Sequence, residues 1–282
     1  MRVGNIVWLA SYPKSGNTWV RAFIQNLIVD GDKPSSLQDI TRFFESEAKP
    51  DWYRGHFDRD LAEVKADDLF ALRPKVHAAI AQTVNRGSVF TKTHNQLTHY
   101  QETPLHALEL TAAAVYIVRN PLDVTVSAAD HFGLSIDETI EFMQNPNTAT
   151  NTDDESVASF LGSWSQHVES WTRSPHPQFL VLRYEDMLDK SMHSFTQIAR
   201  LLGLEKDKPR IKKAIKFSSF KELRSQELKA GFSERSDKSK SFFRRGKKFQ
   251  WLDVLSENQA AAIIEQHRDQ MMRYDYVPPK FR

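Results

Sequence analysis

Ser11-Tyr12-Pro13-Lys14-Ser15-Gly16-Asn17-Thr18-Trp19 separates two stretches of different period. Before it, Ile6 to Ala10 is a short, apolar, β-prone run. After it, Trp19, Ala22, Phe23, Asn26 and Leu27 recur at helical spacing within Asn17 to Val29. The nonapeptide is therefore predicted to be a strand-to-helix loop. Backbone N–H groups at a helix start can cradle a phosphate, Gly16 permits a tight turn, and Lys14 supplies a mobile cation. The lysine precedes the glycine, so this is not the G-x-x-x-x-G-K-[ST] order of a Walker A loop, which weighs against an ATPase. Taken alone, the loop reads more readily as an ordinary β–α turn.

The same unit recurs along the chain. Val89 to Lys92 and Ala113 to Val118 read as buried strands, and Pro121 opens a helix through Asp130. Phe179 to Leu182 is a fourth strand, followed by a helical stretch from Glu185 to Leu202, and a last helix runs from Glu257 to Met272. Strands alternating with helices predict an α/β fold: a three-layer α/β/α arrangement, P-loop-like, around a central parallel sheet. In such sheets ligands sit beyond the carboxyl ends of the strands. Asp32 to Thr83 and Gly133 to Asp154 break the alternation and are expected as acceptor-side insertions near 32–83 and 133–154. The stretch Arg224 to Lys248, rich in Ser, Lys and Arg, is expected to be mobile until an anion orders it.

With 282 residues, 40% of them hydrophobic, the chain has material for one large core, so a single domain over 1–282 is expected. It has no cysteine, which removes disulfides, thiolate metal sites and cysteine nucleophiles. The run from Met1 to Leu9 is too brief for a signal or a membrane span. Net charge is only +2, yet Lys206 to Lys248 holds sixteen Lys/Arg against five Asp/Glu, a place where an anion can dock.

The motifs resemble one family. Ser11 to Trp19 is similar to the 5′-phosphosulfate loop of sulfotransferases that use 3′-phosphoadenosine 5′-phosphosulfate (PAPS), usually YPKSGTTW, with Asn17 replacing the first Thr. Val115 to Ser127, VYIVRNPLDVTVS, resembles the family's 3′-phosphate motif, with Arg119 at the strand end and Ser127 eight residues on. An arginine there offers a bidentate fork and the serine a hydroxyl to the same anion. Lys92-Thr93-His94 is similar to the segment whose histidine acts as base, and Arg183 to Met187 to the segment whose tyrosine, here Tyr184, approaches the nucleotide. Ser218 to Glu222, with Ser219 and Phe220, resembles a stretch that packs on adenine. Arg244-Arg245-Gly246 resembles the loop closing over the 3′-phosphate, although Phe249 stands where that loop usually has a second glycine, which leaves its path open.

The resemblance implies PAPS as donor, no metal, and transfer of a sulfuryl group to a hydroxyl of a small-molecule acceptor. His94 is the implied base, Lys14 the cation at the bridging oxygen and Lys92 a second cation on the sulfuryl group. Lys14, Ser15, Gly16, Asn17, Thr18, Trp19, Arg119, Ser127, Tyr184, Ser219, Phe220, Arg244, Arg245 and Gly246 are the implied nucleotide contacts, with Trp19 and Phe220 as candidates to sandwich the adenine. The family's division into cytosolic small-molecule enzymes and membrane-anchored ones implies a cytoplasmic protein here, without nucleic-acid or membrane partners. Oligomeric state is not legible. Trp52, Tyr53, Phe57, Phe132 and Trp164 are candidates for an aromatic acceptor pocket.

Each segment also reads as ordinary structure by itself: His94 as one structural histidine of ten, Tyr184 and Phe220 as core, the basic run as a solvated face. Two other functions compete. A P-loop kinase or NTPase shares the fold and would need a magnesium-binding acid, for which Asp123 and Asp186 are the candidates. A non-catalytic polyanion-binding module explains the basic run but leaves Lys14 and His94 idle.

Overall fold

The computed structural model describes residues 4–173 and 176–282; Met1–Val3, the start of the run read as too short for a membrane span, lie outside the described residues. The sheet strands are β1 (Ile6–Ser11), β2 (Glu45–Ser46), β3 (Val89–Thr93), β6 (Thr111–Val118) and β7 (Phe179–Arg183), with β4 (His99–Tyr100) and β5 (Thr103–Pro104) forming a separate small hairpin. The five pair in the order β2-β3-β1-β6-β7, every pairing parallel. The helices are α1 (Asn17–Val29), α2 (Leu37–Phe43), α3 (Ala66–Ala71), α4 (Arg73–Gln82), α5 (Pro121–Phe132), α6 (Ile136–Gln144), α7 (Trp164–Thr172), α8 (Tyr184–Asp189), α9 (Ser191–Leu201), α10 (Lys208–Phe217), α11 (Phe220–Ala230) and α12 (Glu257–Arg273).

Alternation along β6 builds a three-layer α/β/α fold. Ala114, Tyr116 and Val118 face one apolar cluster with Leu122 of α5, Trp171 of α7 and Ile263 of α12, while Val115 and Ile117 face another with Phe23 of α1, Phe195 of α9 and Ile211 of α10. Burial on both faces is why these strands are continuous apolar runs rather than alternating ones.

Register then decides what meets what. Ala10 pairs with Thr93, Ser11 with Ile117, and Val118 with Arg183. The loop after Ser11, His94 after β3, Arg119 after β6 and Tyr184 after β7 consequently leave the sheet side by side at its carboxyl edge. β1 is also where strand order reverses, with β3 on one flank and β6 on the other, the place where an open α/β sheet forms its ligand crevice.

Four expectations need correction. Glu185 to Leu202 is two helices, because Lys190 leaves helical dihedrals (φ −131, ψ 46). Met187 and Phe195, both wholly buried in one cluster, would lie about 80° apart around a straight helix, and the break turns them to a common side. Arg224 to Ala230 belongs to α11, and the irregular stretch beyond it is tied down: Glu227 accepts from the Phe242 and Phe243 N–H groups, and Phe232 and Phe243 are buried. The 32–83 stretch is part of the framework as well, for it contributes the edge strand β2 and three buried charged or titratable side chains, Glu47, Arg73 and His77. Of the proposed acceptor aromatics, Tyr53 and Trp164 are fully buried core residues. The Tyr53 hydroxyl donates to the Glu47 carbonyl.

Candidate functional site

The loop between β1 and α1 is wound tightly. Lys14 (φ 65) and Gly16 (φ 105) both take positive φ, and Gly16 lies against the Tyr184 ring, where an added Cβ would stand 2.8 Å from its Cδ2. A lysine held at φ 65 is an uncommon conformation for a side-chain-bearing residue, and such residues cluster where a backbone is shaped to hold a ligand. The Asn17 side chain, implied as a nucleotide contact, donates to the Leu9 carbonyl at 2.8 Å and so straps the helix start to β1. Thr18 accepts from Arg21 Nη2 at 2.9 Å. Ser15 is buried, its hydroxyl unpaired among the described residues.

Arg119 reaches back into this loop. Its Nη1 donates to the Lys14 carbonyl at 2.6 Å, its guanidinium lies 4.4 Å from the Tyr184 ring centroid, and its Nε, buried, has no partner among the described residues. The Lys14 ammonium sits 4.1 Å above the Phe242 ring. Burial, and then Arg119, bring its pKa down to about 8. Two buried groups with unused donors, Ser15 Oγ and Arg119 Nε, together with Lys14 at a helix N-terminus, have the donor chemistry of an anion site.

His94 stands across from the loop. Its Nδ1 donates to the Ser11 carbonyl at 2.7 Å, a tautomer that leaves Nε2 an acceptor. Burial first, then the Lys92 ammonium, push its pKa down to about 3, so the ring is neutral at physiological pH. Beneath it lies a buried carboxylate with no sequence signal. Glu47 Oε1 accepts from Asn95 Nδ2 at 2.7 Å and from the Thr93 hydroxyl, and Oε2 accepts from His77 Nε2 at 2.6 Å with Arg73 Nη1 at 3.6 Å. Glu47 thus fixes the residues on either side of His94. Burial by itself would raise the Glu47 carboxyl, and Arg73, then His77, hold it well below the usual range.

The second loop closes on α5. Arg244 Nη2 donates to the Val126 carbonyl at 3.2 Å and Nη1 pairs with Asp130 at 3.3 Å, so the guanidinium straddles the half-buried Ser127 along the helix. Asp123 accepts from the Phe249 and Trp251 N–H groups at 2.8 and 3.1 Å. That engagement commits the carboxylate offered above as a kinase metal ligand. Asp186 pairs with Arg183 at 3.4 Å. Phe249, at the expected glycine position, adopts φ 61, so the loop keeps a glycine-like turn with a phenylalanine in it. Gly246, at φ 59, packs directly on Phe220.

Arg245 is exposed and pairs with Asp253 at 3.3 Å, and Ser219 caps α11 by accepting from the Glu222 N–H. Trp19 packs edge-on against Tyr184 and Phe195, and Phe220 against Phe243. Lys92 Nζ contacts Glu234 at 3.2 Å. His131 of α5, also not anticipated, packs 6.4 Å from the Phe242 ring and is held neutral, its pKa pushed down to about 3 by burial and then by Lys14 and Lys92.

The family model described as the sulfotransferase domain matches residues 5–275. Among curated proteins, the chain is 26% identical to flavonol 3-sulfotransferase of Flaveria bidentis, covering 92% of this chain and 79% of that one. It is 23% identical to 3-beta-hydroxysteroid sulfotransferase of Cavia porcellus, covering 96% and 84%. Among solved structures, mouse sulfotransferase SULT7A1 complexed with PAP superposes with a TM-score of 0.62 at 20% identity over 95% of this chain and 84% of that one. Retinol dehydratase in complex with androsterone and the inactive cofactor PAP gives 0.64 at 20% identity over 98% and 83%. These structures share the fold.

Proposed function

The chain belongs to the sulfotransferase domain family, a PAPS-dependent sulfotransferase, and from that premise we propose that it transfers the sulfuryl group in line to a hydroxyl of a small-molecule acceptor, with His94 as base and no metal. The observation that carries the reading is the His94 tautomer. With Nδ1–H committed to the Ser11 carbonyl, Nε2 is the free acceptor, beside the loop that holds Lys14.

His94 Nε2 takes the proton of the acceptor hydroxyl as its oxygen bonds to sulfur and the bond from sulfur to the bridging oxygen breaks. Lys14 meets the charge that develops on that oxygen, and Lys92 the sulfuryl oxygens. Ser15, Gly16, Thr18 and the α1 N-terminus hold the 5′-phosphate; Arg119, Ser127, Arg244, Arg245 and Gly246 hold the 3′-phosphate that separates PAPS from ATP. Tyr184, Trp19 and Phe220 supply aromatic surface for the adenosine, with Ser219 at the start of α11 beside them. The leaving product is 3′-phosphoadenosine 5′-phosphate.

A small acceptor is supported by the names of the relatives, a flavonol and a hydroxysteroid sulfotransferase. The 133–154 stretch and the partly buried Trp52, Phe57 and Phe132 remain the proposed acceptor side. A cytoplasmic site of action is part of the proposal, supported by a cysteine-free composition that needs no oxidising compartment. A small anion rather than a polymer is supported by Lys213 and Lys248 of the basic run, which pair with Asp30 and Asp189.

Isothermal titration with 3′-phosphoadenosine 5′-phosphate tests the reading, with ATP and 5′-AMP as controls. Binding should require the 3′-phosphate and be lost in Arg119→Ala. An acceptor screen on wild type and His94→Ala follows. ATP bound as tightly as the bisphosphate, or transfer retained in His94→Ala, would overturn it.

A further inference from the structure

Beside the loop and strand ends, three charged side chains from distant parts of the chain meet. Arg21, one turn into α1 and buried, forks onto Glu234: Nη1 donates to Oε1 at 2.7 Å and Nη2 to Oε2 at 2.6 Å. The same Nη2 donates to Thr18 in the phosphate loop, and Lys92 Nζ donates to Glu234 Oε2 at 3.2 Å. Glu234 lies in the stretch that leads to Arg244 and Gly246. Arginine stays charged at any accessible pH and prefers a bidentate carboxylate, so the fork fixes both the place and the ionisation of Glu234.

We propose that Glu234 is a positioning residue for sulfuryl transfer, whose carboxylate, clamped by Arg21, holds the Lys92 ammonium in place and charged at the sulfuryl group. The inference rests on the reading that Lys92 faces that group. Its physical need is plain from the surroundings. Lys92 is faced by Glu234 from the closing stretch, Arg21 from α1, Lys14 from the loop, His131 from α5 and His94 from its own segment. Burial lowers the Lys92 pKa and Arg21 lowers it further, while Glu234 is the carboxylate that opposes both. A purely structural strap would tie Arg21 to Glu234 without regard to Lys92; here a single oxygen, Oε2, serves both cations.

The test needs no acceptor. Affinities for PAPS and for 3′-phosphoadenosine 5′-phosphate, which lacks the sulfuryl group, are measured by isothermal titration from about pH 7.5 to 10, above the second ionisation of the bisphosphate's 5′-phosphate at about 6, and the change in their ratio from wild type to variant reports contacts to the sulfuryl oxygens. In wild type the preference for PAPS should hold through neutral pH and fall only as Lys92 deprotonates. In Glu234→Gln the fall should move about 1 to 3 pH units toward acid, the size of shift a neighbouring opposite charge produces. Adding Lys92→Arg should restore a pH-independent preference, which a merely structural role does not predict. Bisphosphate binding by the variant reports that the site is folded. If Glu234→Gln does not fold, Glu234→Asp, which keeps the charge but withdraws it by one methylene, should show a smaller shift in the same direction. A ratio profile that overlays wild type in the folded variant, or no rescue by Lys92→Arg, overturns the positioning role and leaves the sulfotransferase reading intact. Failure of wild type to bind either nucleotide overturns both.

Discussion

Glu47→Gln is the substitution that separates charge from shape at the base of the site. The side chain is isosteric and fully buried, so no cavity forms. In the wild type four groups point at its two oxygens: the Thr93 hydroxyl and Asn95 Nδ2 at one, His77 Nε2 and the Arg73 guanidinium at the other. A glutamine amide puts an N–H donor where one oxygen stood, so at least one of these donors faces another donor, and Arg73 keeps a buried charge without a counter-ion. Breaking a buried ion pair from one side costs about 3–5 kcal/mol. At about 2 °C per kcal/mol for a chain of this size, the melting temperature should fall by roughly 6–10 °C. The pH dependence follows from the direction of the shift. Because the folded-state pKa is depressed, the stabilisation is fully present above the unfolded carboxyl value and is lost only as pH falls through the lower, folded one. The gap between wild type and variant, measured by urea denaturation, should therefore be constant from pH 8 to 5 and close only in stronger acid. Since Thr93 and Asn95 flank His94, kcat should drop more than KM rises. A variant within about 1 kcal/mol of wild type at pH 7, or a gap already closing between pH 7 and 5, would refute the account.

Three further outcomes are expected. Gly16→Ala combines φ 105 with a Cβ at 2.8 Å from the Tyr184 ring and should cost about 2 kcal/mol or more in denaturation while weakening bisphosphate binding. Phe249 is about half exposed and held at φ 61, so Phe249→Gly should stay within about 1 kcal/mol of wild type, whereas Phe249→Val should be less stable than Phe249→Gly by about 1–2 kcal/mol; equal stability of the two would contradict the backbone assignment. Lys14, with its pKa brought down to about 8, is a cation below that pH and neutral above it, so bisphosphate affinity should decline as pH rises past 8 in wild type and stay level in Lys14→Arg. A level wild-type profile in the same titration would show that Lys14 does not meet the phosphate.

Four strands of the sheet were legible because their signal is local: a short β-prone run ends within a residue of each observed strand end, while the two-residue edge strand β2 carries no such run. Parallel pairing then does the rest, since Ala10 against Thr93 and Val118 against Arg183 bring His94, Arg119 and Tyr184 to one edge without any further information. What was not legible is the counter-charge. Glu47 lies 46 residues from Thr93, and Glu234 lies 213 from Arg21 and 142 from Lys92. A single glutamate in a polar stretch has no period and no motif, and the sequence around each reads as insertion or mobile tail. The same remoteness explains the misread length of α8 and α9, whose break at Lys190 answers to a core contributed by other elements. It explains Phe249 as well, because the turn there is held by Asp123 from α5 rather than by glycine's own conformational freedom. Lys92 and His94 thus stand in a short motif, while the carboxylates that hold Lys92 and the neighbours of His94, Glu234 and Glu47, are specified by the tertiary fold. A chain that kept every motif but lost Glu47 or Glu234 would still be recognised as a member of the family, while its His94 or Lys92 would lose the support that the fold provides.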